Sequence, residues 1–515
     1  MRHTVRLALL AAGLAALSAC SDPKDAAGWA ERAASRNRLD EKLAALAQAR
    51  AAPGDKKAAV APLVEVLKQA PRARAAAAVI LGEIGDPAAV KPLLDALDLS
   101  AAPERDAADA NVAIAGALGA LRAREAVPAL VKLARSSDGF TSVAAIDALG
   151  AVGDPAAVEP LLAIVGDEQA QPFAVRKALL ALGHVGDARA VPAVLRMLYV
   201  ERPGGSFFPD AAFAASLLGA PMAAPLAAVA QGRDAELSAW AAGRGVHPAA
   251  LRAKAAQLLG DVGGPEAVAA LLADLGYADA DPQAQAFVRV FAAESLGRLR
   301  AREGIAPIGA LLAKERDPDA RERYAEAMVR IGDPAALPAL RAASAGPAAD
   351  AMLDAVSRLG GEPERALVEA ARTACGAGCP AARKAALDGM AARLDAAAEC
   401  GARGGACWGA KLGDARAEVR DRAALEVGRT AEAGQAPALG AAITRPVQTD
   451  ADLAARYHAV LALDGLARRQ PLGAKGVELA AAIDGMLAAD KGRTLTAGVN
   501  EDAMRLAARL RKAAR

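Results

Sequence analysis

The chain has 515 residues, with 62 Lys+Arg against 60 Asp+Glu and 3% aromatic residues. Near balance of charge excludes the basic surplus of a typical nucleic-acid binder, and the abundance of alanine, the best helix former, favours helices over strands. A chain this long ordinarily forms several domains, so the pattern along it has to decide between separate cores and one extended array.

The first predicted element is a leader. Arg2 and Arg6 precede an apolar run from Leu7 to Leu17, and Leu17-Ser18-Ala19-Cys20 follows. A basic start, a short apolar centre and small residues before a cut site are the anatomy of a secretory signal. The run is shorter than the ~20 residues that span a bilayer. Leu-Ser-Ala-Cys resembles the lipobox of bacterial lipoproteins. That resemblance implies cleavage before Cys20, lipidation of its sulfur and acylation of the new amino group. An ordinary secreted protein with an incidental Cys20 is the competing explanation. Losing Arg2 and Arg6 takes the 62 basic residues to 60, equal to the 60 acidic ones, so the mature chain is formally neutral. Ser21, where Asp would signal retention at the inner membrane, implies by the same resemblance an anchor in the outer membrane of the cell envelope. Residues 1–19 are thus read as the signal, and 20–55 as a tether with a capping helix around Trp29 to Arg50.

From residue 56 to 470 one frame recurs. Arg74-Ala-Ala-Ala-Ala-Val-Ile-Leu-Gly-Glu-Ile-Gly-Asp-Pro-Ala-Ala-Val-Lys-Pro-Leu-Leu returns, with changes, from Val143, Arg176, Arg252, Phe291, Arg321 and Arg420. The anchors Gly82, Gly119, Gly150, Gly183, Gly219, Gly260 and Gly297 are spaced by 37, 31, 33, 36, 41 and 37 residues. Such periods mean stacked supersecondary units. Each unit reads as two helices. The Arg-x-x-Ala-Ala helix ends at the glycine of Gly-Asp-Pro, which tolerates a left-handed cap. Asp then caps the next helix, with Pro in its first position. The spacing predicts no strand anywhere. The frame resembles the HEAT family, its phycobilin-lyase-like subgroup above all, and about ten units can be counted. The resemblance implies an all-α, right-handed α-α superhelix, with the Arg-x-x-Ala-Ala helices on the concave side. It also implies that Arg74, Arg176, Arg252, Arg321 and Arg420 pair with an Asp of the preceding turn, as Asp319 with Arg321 and Asp414 with Arg420. Residues 471–515 read as closing helices, around Gly476 to Leu487 and Asn500 to Lys512.

Four insertions, Asp98 to Asp109, Tyr199 to Asp210, Gln231 to Pro248 and Gly276 to Ala286, fall at the same place in the unit. They hold Tyr199, Phe207, Phe208, Trp240 and Tyr277, which are either interface anchors or plugs between repeats. Cys375, Cys379, Cys400 and Cys407 are an even set in a chain read as secreted, which suggests disulfides. A zinc site is the competing idea, against which the spacing lacks paired Cys-x-x-Cys knuckles. Ala381 to Glu399 reads as one helix ~28 Å long at 1.5 Å per residue, whereas bridged Cα atoms lie within ~7 Å. Local pairs, Cys375–Cys379 and Cys400–Cys407, are therefore expected.

Catalytic signatures are missing from the sequence. His3, His184, His247 and His458 lack metal-ligand spacing, and there is no phosphate loop or Gly-x-Ser-x-Gly. Neither a cofactor nor a metal is expected. The resulting expectation is a lipid-anchored scaffold that binds an envelope protein or peptide and is not an enzyme, since solenoids offer long concave surfaces. The alternatives are a lyase or chaperone-like protein acting on a cofactor-bearing partner, and a mechanical spacer.

Overall fold

The computed structural model describes residues 23–100, 103–401, 404–430 and 432–513. Cys20 and residues 1–19, read from the sequence as a leader, lie outside the described residues. The fold is an all-α solenoid of stacked helix pairs, interrupted by one two-residue hairpin that pairs Glu201–Arg202 with Gly205–Ser206 inside an insertion. No single described helix is long and apolar enough to cross a membrane. The helices gather into two compact units, Met1–Ala193 and Val194–Arg515.

In the first unit, short outer helices such as Val60–Leu67, Val127–Leu133 and Val158–Gly166 alternate with longer inner helices, Pro71–Ile84, Arg105–Ala120, Gly139–Val152 and Pro172–Val185. The Gly-Asp-Pro chemistry sets these boundaries. Gly85 and Gly153 close their helices in the left-handed region, at φ 75° and 70°. Asp86 and Asp154 then accept hydrogen bonds from the backbone of Ala88 and Ala156, at 2.9 and 2.8 Å. Here the structure refines the expectation. The Asp caps a 3-10 turn, Pro87–Ala89 or Pro155–Ala157, and the α-helix proper starts at the following Val.

The anchor glycines inside the helices have a different task. A Cβ on Gly82 would sit 2.9 Å from the Ala117 Cα, and one on Gly150 would sit 2.8 Å from the Ala181 Cα. Each inner helix therefore lies against the next through a Gly–Ala contact that no larger residue permits. The outer helices carry Leu and Val cores and barely touch one another. Closer spacing on the inner layer curves the stack toward it.

The recurrent arginine fastens repeats to each other, but not as expected. Arg74 donates to the carbonyls of Leu67, Gln69 and Ala96, at 3.0, 3.3 and 3.2 Å. Arg321 donates to those of Leu312, Ala343 and Pro347, at 3.0, 2.9 and 2.8 Å. Each guanidinium thus ties the end of the outer helix before it to the end of the one after it, where helix carbonyls lack partners. Arg321 donates to these carbonyls and not to the Asp319 carboxylate. Arg420 takes the backbone carbonyls of Asp414 and Ala415, both at 2.8 Å, and finds its carboxylate one repeat on, at Asp452. A five-donor planar group reaches several carbonyls at once, which no pairing rule between neighbouring residues conveys.

The N-terminal cap is two helices, Ala26–Ser35 and Leu39–Ala51, in place of the single one expected. Asp25 caps the first through the Gly28 N–H at 2.8 Å. The break falls at Ser35-Arg36-Asn37-Arg38, where Ser and Asn compete with helix through their own side chains.

Candidate functional site

The inner helices of the second unit include Phe208–Leu218, Pro248–Val262, Pro282–Leu299, Pro318–Ile331, Ala349–Leu359, Ala381–Cys400, Ala417–Thr430, Asp450–Arg469 and Ala497–Ala513. Their inward faces meet across long sequence separations. Arg298 reaches Asp261 at 2.5 Å and Asp502 at 2.8 Å. Arg509 pairs with Asp464 at 2.9 Å, Arg468 donates to the Asp261 carbonyl, and Lys512 to that of Leu217. The last helix thereby closes back on the first inner helices of its unit. The concave surface expected to receive a partner is, in this unit, filled by the protein's own charges.

At the centre stands His458, 2% exposed. Its Nδ1 lies 2.6 Å from Asp421 Oδ1 and its Nε2 3.2 Å from Glu326 Oε1. Burial opposes its charge, but the two carboxylates outweigh burial and raise its pKa. A carboxylate at each ring nitrogen favours the doubly protonated ring, which can donate to both. Burial likewise opposes ionisation of Glu326, yet Arg358, His458 and Arg330 hold that carboxyl well below the usual range. Asp421 is held low in the same way, against burial, by Arg358, His458 and Arg393. A cavity of about 380 Å³ is lined by the charged Glu326, Arg330, Arg358, Asp450 and His458 together with Leu453, Tyr457, Leu495 and Val499. A larger groove of about 830 Å³ lies near Arg74, Lys68 and Lys91. Its cations are already engaged, Arg74 by carbonyls, Lys68 by Glu65 and Lys91 by Asp95.

Among the described residues of the first unit, no such pairs close across the inner face. Phe140 is 81% exposed and Phe173 59%. Each stands ten residues before an anchor glycine, Gly150 or Gly183. Ala144 and Asp147 continue the face on one helix, Lys177 and Leu180 on the next, at helical spacing. Lys177 bridges to Asp147 at 2.9 Å and lies 5.7 Å from the Phe173 ring centre. The sequence signal for both rings was present in their fixed register before the glycine. His458 had none, because its partners are 37 and 132 residues away.

The insertion aromatics divide. Tyr199 is 5% exposed and donates to the Leu251 carbonyl at 3.1 Å, and Phe207 is fully buried. Of the two readings offered for the insertion aromatics, burial of these two rings in the core, where apolar area leaves water, agrees with plugs between repeats. Phe208 is half-buried 5.0 Å from Lys254 Nζ. Trp240 is half-buried beside Arg244 and Arg196, at 4.4 and 5.7 Å. Tyr277 lies 4.9 Å from Arg252 and hydrogen-bonds Asp279. Cys375 is joined to Cys379 and Cys400 to Cys407, with Cα atoms 4.9 and 5.5 Å apart, at opposite ends of the helix Ala381–Cys400. Among the described residues no group of three or more His, Cys, Asp or Glu is placed to hold a metal ion.

Residues 106–175 and 278–359 match the family model for HEAT repeats, and residues 73–98 match that for the PBS lyase HEAT-like repeat. These segments of the solenoid are thus HEAT/PBS-lyase-like helical repeats. Similar solved structures include human deoxyhypusine hydroxylase in complex with glycerol, at 22% identity over 58% of this chain and 94% of that one, with a TM-score of 0.22. Kap121p is 12% identical over 95% of this chain and 65% of its own, with a TM-score of 0.46. The complex of CpcE and CpcF of phycocyanin lyase from a Nostoc species is 20% identical over 52% and 94%, with a TM-score of 0.24. At these identities the likeness is one of fold alone. No curated protein matches the chain. The expectation that the chain is not an enzyme is corrected by the match at residues 73–98, whose repeat takes its name from a lyase.

Proposed function

We propose that this array of HEAT/PBS-lyase-like repeats takes a partner protein on the open inner face of its first unit and acts there as a lyase- or chaperone-type factor on a cofactor the partner carries. The observation that carries the reading is the exposure of Phe140 and Phe173 in one register of adjacent inner helices. Two large rings held in water on a face of small residues mark an interaction site, which a mechanical spacer does not need. The lyase side of the reading is supported by the repeat match at residues 73–98, which covers an inner helix of the same unit. A photo-cross-linking residue placed at Phe140 in the full chain, in intact cells, should yield one discrete adduct. The same residue at Lys91, exposed on an outer helix, should yield none. Phe173→Glu should cut the adduct at least tenfold with helix content unchanged. Equal labelling from both positions sinks the reading.

The same proposal places the protein at a membrane, held by lipid on Cys20, in the outer membrane of the envelope. Two or more acyl chains give stable attachment, at about 0.8 kcal/mol per buried CH₂. Cys20→Ala should move the protein from the membrane pellet to the soluble fraction or leave its leader uncut. A variant that matures normally and stays in the pellet argues decisively against the anchor.

A further inference from the structure

We propose that the cavity beside His458 in the second unit binds a small organic acid, a monocarboxylate with an apolar body. The assignment is independent of the partner surface on the first unit.

Charge selects the head group. On the cavity floor, Arg330, Arg358 and His458 all converge on one carboxylate, that of Glu326, with contacts of 3.2, 2.9 and 3.2 Å. Behind them, Asp354 and Asp421 answer Arg358, Arg393 and His458. Arg393 lies behind the lining and Asp450 borders the cavity from the first turn of its helix, so four cations face four carboxylates. Arg330 meets Glu326 through Nε alone. Its two terminal nitrogens have no hydrogen bond among the described residues. Its guanidinium is steadied 4.9 Å from the Tyr457 ring centre. A planar fork of this kind, already held in place, suits a carboxylate. A monocarboxylate takes the two terminal nitrogens of Arg330, whereas a phosphate dianion would set a second negative charge against Glu326, which borders the same space.

The walls select the body. Leu453, Leu495 and Val499 give the apolar part of the lining, and Leu495 remains 40% exposed. At about 380 Å³, the cavity falls at the small end of the ~300–1,000 Å³ common for ligand sites. It fits a chain or ring of a few carbons beyond the carboxyl group.

Titrating octanoate into the full chain by calorimetry tests the assignment. Saturable binding at one equivalent is expected. Arg330→Met should weaken it at least tenfold. Leu495→Ser, at an exposed position that leaves the core intact, should weaken it about threefold to tenfold, and acetate should bind at least tenfold more weakly than octanoate. Inorganic phosphate at equal concentration should not displace the ligand. Absence of saturable binding overturns the proposal. So does binding that Leu495→Ser leaves unchanged, or displacement by phosphate. A peptide ending in a free leucine carboxylate that binds more tightly than octanoate would overturn it in favour of a chain-terminal partner. Should Arg330→Met fail to fold, the Leu495→Ser and acetate arms still decide.

Discussion

Replacing Asp421 by asparagine should lower the stability of the second unit by about 3–5 kcal/mol, the usual result of removing one partner from a buried ion pair. Asp421 is fully buried and faces His458 at 2.6 Å, Arg358 at 3.3 Å and Arg393 at 3.4 Å. Asparagine keeps the shape and removes the charge, so three cations are left with Glu326 and Asp354 alone. The pH profile carries a second signature. Asp421 and Glu326 have lowered folded pKa values. Their stabilisation is present above the unfolded carboxylate range, ~4, and is lost as pH falls through the folded values. His458 is shifted upward. Its contribution is complete below the unfolded imidazole value, ~6.5, and is lost as pH rises through the folded one. The second unit should therefore be most stable between about pH 5 and 6.5 and weaken on both sides. Asp421→Asn should flatten both limbs, because it removes one titrating carboxylate and the nearest counter-charge of His458. Urea denaturation from pH 3 to 9, followed by circular dichroism, reads both effects. A loss below about 1 kcal/mol, or unaltered limbs, would show the cluster to be less tightly coupled than its distances imply.

What the sequence made legible follows the range of the interactions. Gly85-Asp86-Pro87 and Gly153-Asp154-Pro155 are punctuation within three residues, and the helix ends fall where that chemistry puts them. The anchors Gly82 and Gly150 were legible as a period but not as a contact, since the Ala117 and Ala181 that they meet belong to the next repeat. The arginine ladder was legible as a recurrent residue, while its partners were not, because backbone carbonyls carry no sequence label. Tyr199 and Phe207 sat in insertions, a position equally compatible with a free loop. A two-residue hairpin too short to leave a strand pattern decided their burial. The acid–base cluster was hidden altogether. Glu326, Asp421 and His458 share no period, and only the curvature of the second unit brings them together. The inner helices of that unit approach through different neighbours, Gly260 to Ser295, Gly297 to Ala327 and Gly389 to Glu418, and no single residue encodes the curvature.

The same contrast between short and long range gives the two units opposite responses to deletion. Removing Val143 to Val175 from the first unit should leave a folded, cooperatively melting protein with one repeat fewer. The excised stretch matches the 33-residue spacing from Gly150 to Gly183, so the helix that follows can meet the one before through the same register. In such an array, stability is close to a sum of repeat and nearest-neighbour terms. The second unit breaks that rule. Its last helix, Ala497–Ala513, supplies Asp502 to Arg298 and Arg509 to Asp464, across separations of 204 and 45 residues. It also buries Leu506 and Leu510 against its unit. Two such leucines alone contribute roughly 3–6 kcal/mol of burial, and ending the chain at Gly492 strips the inward charges of their closure as well. The truncated protein should lose the cooperative transition of the second unit or melt far below the full chain, while the first unit keeps its own. Limited proteolysis and thermal melts of the two deletions, side by side, separate the outcomes. If removal of the last helix costs no more than removal of an interior repeat, the second unit is a simple stack, and its inward charges are solvated pairs of the kind that add little.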